Sequence, residues 1–231
     1  MPFWSRPQRP ATYAEQALVS AILDGTYPAG GALPAERALA KALGVTRPTL
    51  REALQRLERD GWLTINQGKP TRVRDYWRDG GLNVLNAIVQ QTGSLPPNFV
   101  TRLLQVRLAM APAYVRAAVE HDPRPIIAHL EGHTALEDTP AAYAAYDWTL
   151  HHILTVASGN PIYTLILNGF AGFYERIAQH YFAREEARQA SRAYYAALLP
   201  LVRTGEADGA ERLSAEVMRA SITLWDQARA P

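Results

Sequence analysis

The residues best suited to chemistry near the N-terminus are two arginines placed four positions apart. Arg47 and Arg51 lie one helical turn apart, so on a helix their guanidinium groups project on the same side. A guanidinium group matches the O6 and N7 edge of guanine and also binds phosphate. Thr46 stands just before them, and the N-terminal end of such a helix can receive a phosphate oxygen. The spacing therefore predicts a surface that binds DNA.

A helix-turn-helix is predicted to carry these arginines. Thr12 and Glu15 have the spacing of a capping box, which predicts the start of a first helix. Pro34 is expected in the first turn of a second helix, which ends at Gly44, and a tight turn there leads to a third helix with Thr46 as its N-cap. The third helix is expected to bury one apolar stripe, consisting of Leu50, Ala53, Leu54 and Leu57.

A β-hairpin is predicted directly after the third helix. The runs 62–65 and 70–74 have strand composition, and a glycine-containing turn separates them. Lys69 lies at the tip, where it could enter a groove or contact phosphate, and Arg72 and Arg74 add positive charge. This hairpin would be the wing of a winged helix-turn-helix.

The distribution of charge along the sequence also favours DNA binding by the N-terminal part of the chain. The 231-residue chain has a formal net charge of +2, but residues 1–78 hold 12 Lys and Arg against 7 Asp and Glu, whereas residues 79–231 hold 12 against 15. A polyanion would therefore bind the first part. The absence of cysteine excludes disulfides and thiol catalysis and favours the cytoplasm. No apolar run approaches the roughly 20 residues of a membrane-spanning helix, so we expect a soluble protein with no membrane partner.

The remainder of the chain is predicted to be helical. Strand-like alternation is absent, and Pro, Gly and Asp breaks divide it into about seven helices. We therefore predict a mainly α protein, in which a winged helix-turn-helix of three helices and a hairpin precedes an all-α antiparallel bundle. The predicted boundaries are 1–74 for the DNA-binding domain, 75–82 for a linker and 83–231 for the helical domain.

Two residues of the helical domain could begin a metal site. Asp147 and His151 have the i, i+4 spacing of metal ligands on a helix. A complete site would need further ligands from the last two helices, but no histidine follows His180, so we predict no metal and expect Asp147 to be a buried hydrogen-bonding group. Ser158 lacks the G-x-S-x-G motif, and the chain has neither a Gly-rich phosphate loop nor an HExxH helix. No catalytic site and no cofactor are predicted.

Several motifs resemble the GntR family of bacterial transcription regulators. They include Leu-Pro-Ala-Glu-Arg at 33–37, the run at 43–54 and the run at 56–63. Further motifs are similar to the FadR subfamily, at 61–65, 68–71, 81–83 and, most strongly, at 160–169. The resemblance spans nearly the full chain and implies a ligand-sensing helical domain behind the DNA-binding domain.

This resemblance implies a homodimer that binds a palindromic double-stranded DNA operator. The contacts that it implies are Arg37, Thr46, Arg47, Thr49, Arg51, Gly68 and Lys69. Gln67 is added because it can hydrogen-bond a base edge, although a histidine is usual there. Pro48 stands where a threonine is common and removes both a hydroxyl and an N–H group.

The ligand that the resemblance implies is a long-chain fatty acyl-CoA, which binds in the bundle and releases the protein from DNA. Such a regulator represses fatty acid degradation genes, with activation of unsaturated fatty acid synthesis genes as a second expected role. The predicted ligand-binding residues are Arg107, Tyr174, Tyr181, Tyr195, Ser221 and Trp225. Without the resemblance, aromatic residues at such spacing are more often core. Met218 and Ala230 fall where a glycine and a lysine are expected.

Two alternatives remain open on the sequence. The first is a GntR-type regulator that senses a small carboxylate metabolite with a bound metal, because many relatives of the helical domain bind a divalent cation through one Asp and three His. The second is an acyl-CoA-binding enzyme or carrier. Metal analysis would test the first alternative, and substitution of Arg47 and Arg51 would test the second.

Overall fold

The computed structural model describes residues 9–91 and 98–227 of the chain. They divide into two compact units, the first within residues 1–95 and the second within residues 96–231. Both units are mainly helical, as predicted.

The first unit contains the predicted winged helix-turn-helix. Its elements are α1 (Pro10–Leu23), α2 (Glu36–Leu43), α3 (Arg47–Arg59), β1 (Leu63–Thr64), β2 (Arg72–Val73), α4 (Tyr76–Asp79) and α5 (Leu82–Gln91). Helix α3 packs against α1 and α2, and its predicted stripe is buried. Strands β1 and β2 are antiparallel, with Leu63 opposite Val73, and form the wing.

The predicted turn and cap of the helix-turn-helix are confirmed. Gly44 ends α2 in the left-handed region with φ of 66°, a conformation that favours glycine. Thr46 is the N-cap of α3, and its Oγ1 accepts a hydrogen bond from the N–H of Thr49 at 3.3 Å. These two residues therefore mark the end of α2 and the start of α3.

The predicted starts of α1 and α2 need correction. Helix α1 begins at Pro10 and has no side-chain cap, so the capping box of Thr12 and Glu15 is wrong. Proline is favourable at the first helical position because it has no N–H to satisfy and its φ is already set, so the helix begins earlier in the chain than predicted. Helix α2 begins at Glu36, two residues after Pro34.

The stretch 75–82, which was expected to be a linker, contains α4 and the first residue of α5. Helix α5 contacts α1, and its Val84 and Ile88 are buried. Helix α5 is therefore part of the first compact unit.

The second unit is a helical bundle. Its elements are α6 (Phe99–His121), α7 (Arg124–Leu130), a 3-10 helix (Glu131–Ala135), α8 (Pro140–Ala157), α9 (Pro161–Asn168), α10 (Ala171–Phe182), α11 (Glu185–Thr204) and α12 (Ala207–Gln227). With α5, the described residues of the predicted helical part contain eight α-helices against about seven predicted, and the additional break separates α9 from α10. Helix α6 packs against α8 and α12, and α10 packs against α8 and α11. Across residues 9–91 and 98–227, the helices are too short or too polar to span a bilayer.

Candidate functional site

Helix α3 turns its polar side to solvent. Arg47, Pro48 and Arg51 are exposed, and Thr49 is half-buried. The Arg51 side chain is 58% exposed, although its Nε donates to Oε2 of Glu36 on α2 at 2.8 Å. The two guanidinium groups therefore remain accessible to a partner.

Positions 48–50 at the start of α3 offer no free backbone N–H to an anion. Pro48 has no N–H, the N–H of Thr49 is bonded to Thr46, and the N–H of Leu50 is bonded to the Thr46 carbonyl at 3.0 Å. The hydroxyls of Thr46 and Thr49 also lie 2.8 Å apart and form a hydrogen bond. A phosphate near this helix end would therefore depend mainly on the arginine side chains.

The wing places its predicted contacts in solvent. Gln67, Gly68 and Lys69 are exposed, and Gly68 has φ of 75°, which favours glycine at the tip. Arg37 is exposed on α2. Arg72 is partly engaged within the fold, because its Nη1 donates to the carbonyl of Gly30 at 2.8 Å.

The second unit contains an apolar cavity that is partly open to solvent, here called the large cavity. Residues of α6, α8, α9, α10 and α12 form its walls. Arg107, Tyr174, Tyr181 and Trp225, all predicted from the sequence, are among the lining residues. The rest of the wall is mostly aliphatic and aromatic, including Val100, Leu103, Leu104, Met110, Ile166, Leu167, Phe170 and Ile177.

One residue of the cavity wall, Arg107, belongs to a buried ion pair. Nη2 of Arg107 on α6 donates to Oδ2 of Asp147 on α8 at 2.8 Å. The hydroxyls of Tyr174 and Tyr195 also donate to Asp147, at 2.5 Å and 3.1 Å. Helices α6, α8, α10 and α11 thus meet at one carboxylate, as expected for a buried charge that must be fully hydrogen-bonded.

His151 extends this network and has a defined tautomer. Its Nε2 contacts Nη2 of Arg107, which can only donate, so Nε2 is the acceptor. Nδ1 therefore carries the proton and donates to the hydroxyl of Tyr114 at 2.6 Å. The Tyr114 hydroxyl consequently keeps its own proton for another acceptor, and this residue lines the cavity.

At pH 7 the network contains one positive charge, on Arg107, and one negative charge, on Asp147. Burial alone would raise the pKa of Asp147, but Arg107 and the hydrogen bonds from the tyrosines keep it below its usual value. Burial alone would lower the pKa of Arg107, whereas Asp147 raises it. Burial and the neighbouring Arg107 lower the pKa of His151 to about 3, so His151 is neutral at pH 7. Burial and Asp147 raise the pKa of Tyr174.

The remaining predicted ligand residues lie around this network. Tyr195 is buried behind Asp147, outside the lining of the large cavity. Ser221 lines a smaller cavity together with Met218, Arg107 and Asp147, so Arg107 lines both cavities. Ala230 lies outside the described residues.

Comparison with known proteins gives two family matches that together cover nearly the whole chain. Residues 10–73 match the model described as bacterial regulatory proteins, gntR family, and residues 74–231 match the FadR C-terminal domain. The chain belongs to the GntR family. Its members are transcription regulators, which confirms the sequence-based assignment to a regulator and not an enzyme.

Similar full-length proteins extend this result for the GntR regulator. The chain is 46% identical over 192 residues to the fatty acid metabolism regulator protein of Shewanella pealeana, with 83% of this chain and 80% of that protein covered. It is also 46% identical over 186 residues to the protein of the same name in Shewanella frigidimarina, covering 80% and 78%. The solved structure of Lar, which controls the expression of the Listeria monocytogenes agr system, has a TM-score of 0.58 at 15% identity. It covers 96% of this chain and 99% of its own, and it supports the fold alone.

In this GntR regulator, Asp147 and His151 both contact the guanidinium group of Arg107. One nitrogen of Arg107, Nη2, contacts both Oδ2 of Asp147 and Nε2 of His151. The expectation that Asp147 is a buried hydrogen-bonding group is confirmed. No cluster of three or more His, Cys, Asp and Glu side chains that could hold a metal occurs within 9–91 and 98–227.

Sequence reasoning missed Tyr114 as a cavity residue of this regulator. Tyr114 lies seven positions after Arg107 on α6, so both project from the same face of the helix. Met110 lies between them on that face and also lines the cavity. This spacing was a signal in the sequence, but the contact with His151 that orients the hydroxyl joins two helices and was not.

Proposed function

We propose that this GntR regulator controls fatty acid metabolism as a homodimer that binds a palindromic operator and is released by a long-chain fatty acyl-CoA. The names of its relatives and the match to the FadR C-terminal domain support this assignment. The dimer would repress fatty acid degradation genes and would also activate unsaturated fatty acid synthesis genes. A cytoplasmic location follows from the two proposed ligands.

The DNA-binding half of the proposal rests on the exposed polar side of α3. Arg47 and Arg51 lie one turn apart and are both accessible, while the apolar side of the same helix is buried. Arg37 on α2 and Gln67, Gly68 and Lys69 on the wing would add further base or phosphate contacts. Two such surfaces in a dimer would contact the two halves of a palindrome.

The composition of the cavity wall is the observation that supports acyl-CoA as the ligand. Its wall is mostly apolar, and its polar groups include three donors, namely Arg107, the Tyr114 hydroxyl and the Trp225 indole. The Trp225 Nε1 is buried, and none of the described residues accepts a hydrogen bond from it. A long hydrocarbon chain with a carbonyl acceptor at one end fits such a site.

The two halves would be linked by a population shift. Acyl-CoA would favour a dimer arrangement in which the two α3 helices no longer match their half-sites, and operator DNA would weaken acyl-CoA binding by the same factor. A coupling of about 3 kcal/mol, or about 150-fold in operator affinity, lies within the usual range.

A titration of operator DNA with and without acyl-CoA tests this proposal. DNA fragments from upstream of fatty acid degradation genes would be titrated with the full-length protein, and palmitoyl-CoA would be added at saturation. We expect sequence-specific binding of a dimer and a loss of affinity of about 10- to 150-fold. Unchanged operator affinity would contradict the acyl-CoA effector.

Arginine variants test the DNA-binding surface in the same assay. Arg47→Ala and Arg51→Ala should each weaken operator binding by about 10- to 100-fold and reduce its salt dependence. Arg124→Ala is a matched control, because the Arg124 side chain is 87% exposed in the second unit. Equal behaviour of all three variants would contradict the proposed surface and would favour the enzyme or carrier alternative.

The alternative with a small carboxylate metabolite and a bound metal has less support. The two residues that would begin a metal site, Asp147 and His151, both contact Arg107. Metal analysis of the purified protein would test this alternative, because a stoichiometric divalent ion would favour it over acyl-CoA.

A further inference from the structure

The large cavity has an unusual charge balance. Among the described residues that line it, Arg107 is the one Lys, Arg, Asp or Glu side chain. Its charge is matched by Asp147, which lies 2.8 Å away and is 2% exposed. The cavity wall therefore contains a guanidinium group whose charge has already been neutralised.

The other titratable groups of the network do not alter this balance. His151 is neutral because its Nε2 accepts from Arg107 and its Nδ1 carries the proton. Tyr174 and Tyr195 both donate to Asp147 and are neutral phenols. The buried network as a whole carries zero net charge.

A ligand with a carboxylate would upset this balance, whereas a neutral carbonyl would not. A carboxylate in the apolar cavity would bring a second negative charge beside Asp147 with one guanidinium group to serve both, and an uncompensated buried charge is strongly unfavourable. A neutral carbonyl needs a donor and no counter-charge. Both present bonds of Arg107 use Nη2, and no described residue accepts from its Nε or Nη1. Tyr114 and Trp225 supply further donors.

We propose that Asp147 is the specificity-determining residue of the cavity, because its carboxylate neutralises Arg107 so that a neutral acyl group such as a thioester or ester binds and the carboxylate of a free fatty acid is rejected. This inference rests on the proposed function in one respect, namely that the cavity binds an acyl chain. Asp147 acts through Arg107 and does not itself contact the ligand.

Binding of two ligands that differ in one charge tests this inference. Dodecanoate and methyl dodecanoate would be titrated at pH 7.5 into the full-length wild-type protein, Asp147→Asn and Glu175→Gln. The wild type should bind dodecanoate at least about 100-fold more weakly than the ester. Asp147→Asn, which frees the charge of Arg107, should gain about tenfold or more in affinity for dodecanoate and little or nothing for the ester.

Glu175→Gln is the matched control, because it also removes one carboxylate from the second unit, at an exposed position on α10. It should retain the wild-type preference. A double variant, Arg107→Met with Asp147→Asn, removes both charges and should keep rejecting dodecanoate, since it offers no free cation. Circular dichroism would establish that each variant is folded, and the wild-type comparison itself needs no substitution.

The outcomes separate this inference from the proposed function. Equal binding of dodecanoate and its methyl ester to the wild type would overturn the inference and leave acyl-CoA sensing intact. A gain for dodecanoate in the double variant equal to that in Asp147→Asn would also overturn it. If neither ligand binds and palmitoyl-CoA leaves operator affinity unchanged, the proposed function fails and the inference with it.

Discussion

Two ion pairs of the same length lie in opposite environments in the two units of this protein. Arg51 and Glu36 in the first unit are joined at 2.8 Å, and their side chains are 58% and 35% exposed. Arg107 and Asp147 in the second unit are also joined at 2.8 Å, but their side chains are 21% and 3% exposed. Distance alone therefore says little about what each pair does.

The difference lies in what surrounds each charge. Water screens the exposed pair, so Glu36 only weakly restrains Arg51, whose guanidinium group stays available to a polyanion. The buried pair cannot rely on water, and Tyr174, Tyr195 and His151 supply the hydrogen bonds that water would have made. The exposed pair leaves Arg51 accessible to a partner, whereas the buried pair leaves no net charge in the interior of the second unit.

The largest expected effect is the loss of one member of the buried pair. Arg107→Leu would leave the Asp147 carboxylate buried without its counter-charge, and we expect the free energy of unfolding to fall by about 3–5 kcal/mol. Urea unfolding followed by circular dichroism would measure this at pH 7. The double variant Arg107→Leu with Asp147→Asn should lose much less, because no unpaired charge remains. A small loss in the single variant would contradict the view that this pair is buried and essential.

A smaller effect is expected from pH, through His151. Its pKa is lowered to about 3 in the folded protein, compared with about 6.5 in an unfolded chain. Between those values the unfolded state binds a proton that the folded state does not, so stability is lost as pH falls below about 6.5.

From pH 7 to pH 5 this loss amounts to about 2 kcal/mol. His151→Gln, which keeps a hydrogen-bonding side chain but cannot titrate, should lack this part of the pH dependence. Unfolding free energies of both proteins at pH 7 and pH 5 would measure it. Identical pH dependence of the two proteins would show that His151 is not buried as a neutral group. The contrast between the buried network and the exposed pair of Arg51 and Glu36 would then be lost.

The first unit could be predicted from the sequence in most of its details, because its signals are local. Gly44 and Thr46 define the turn and cap by their own chemistry, and the stripe that begins at Leu50 follows helical periodicity. The capping box of Thr12 was wrong because Pro10 competes for the same helix start. The start of α2 at Glu36 and the helices within 75–82 were also not predicted.

The second unit could be predicted as a class, but its network could not. Arg107 and Asp147 are 40 residues apart, and Tyr195 is 48 residues beyond Asp147. Helical periodicity indicates which face of a helix is buried, but it does not indicate which faces meet. Arg107 was predicted to bind ligand and Asp147 to be buried, and the structure adds that they neutralise each other.

Matched helix caps in the two units provide a smaller and more specific comparison. Thr46 caps α3 and Thr139 caps α8, each accepting a hydrogen bond from an N–H three residues later, at 3.3 Å and 3.2 Å. Thr46→Ala and Thr139→Ala should each destabilise the protein by about 1 kcal/mol. Operator affinity should fall for Thr46→Ala and stay unchanged for Thr139→Ala. An equal fall in both would indicate that stability, and not the α3 surface, limits DNA binding.

The smallest expected effect is the coupling between Arg51 and Glu36. A double-mutant cycle with Arg51→Ala and Glu36→Gln, measured by urea unfolding, should give a coupling energy below about 1 kcal/mol, because both side chains are exposed and screened. Glu36→Gln alone should maintain or strengthen operator binding, since it removes the competitor for the Arg51 guanidinium group, whereas Arg51→Ala should weaken it. A coupling as large as that of Arg107 and Asp147 would mean that Arg51 is held for the fold of the first unit. Arg51 would then be unavailable to DNA, and the contrast between a displayed and an enclosed arginine would be lost.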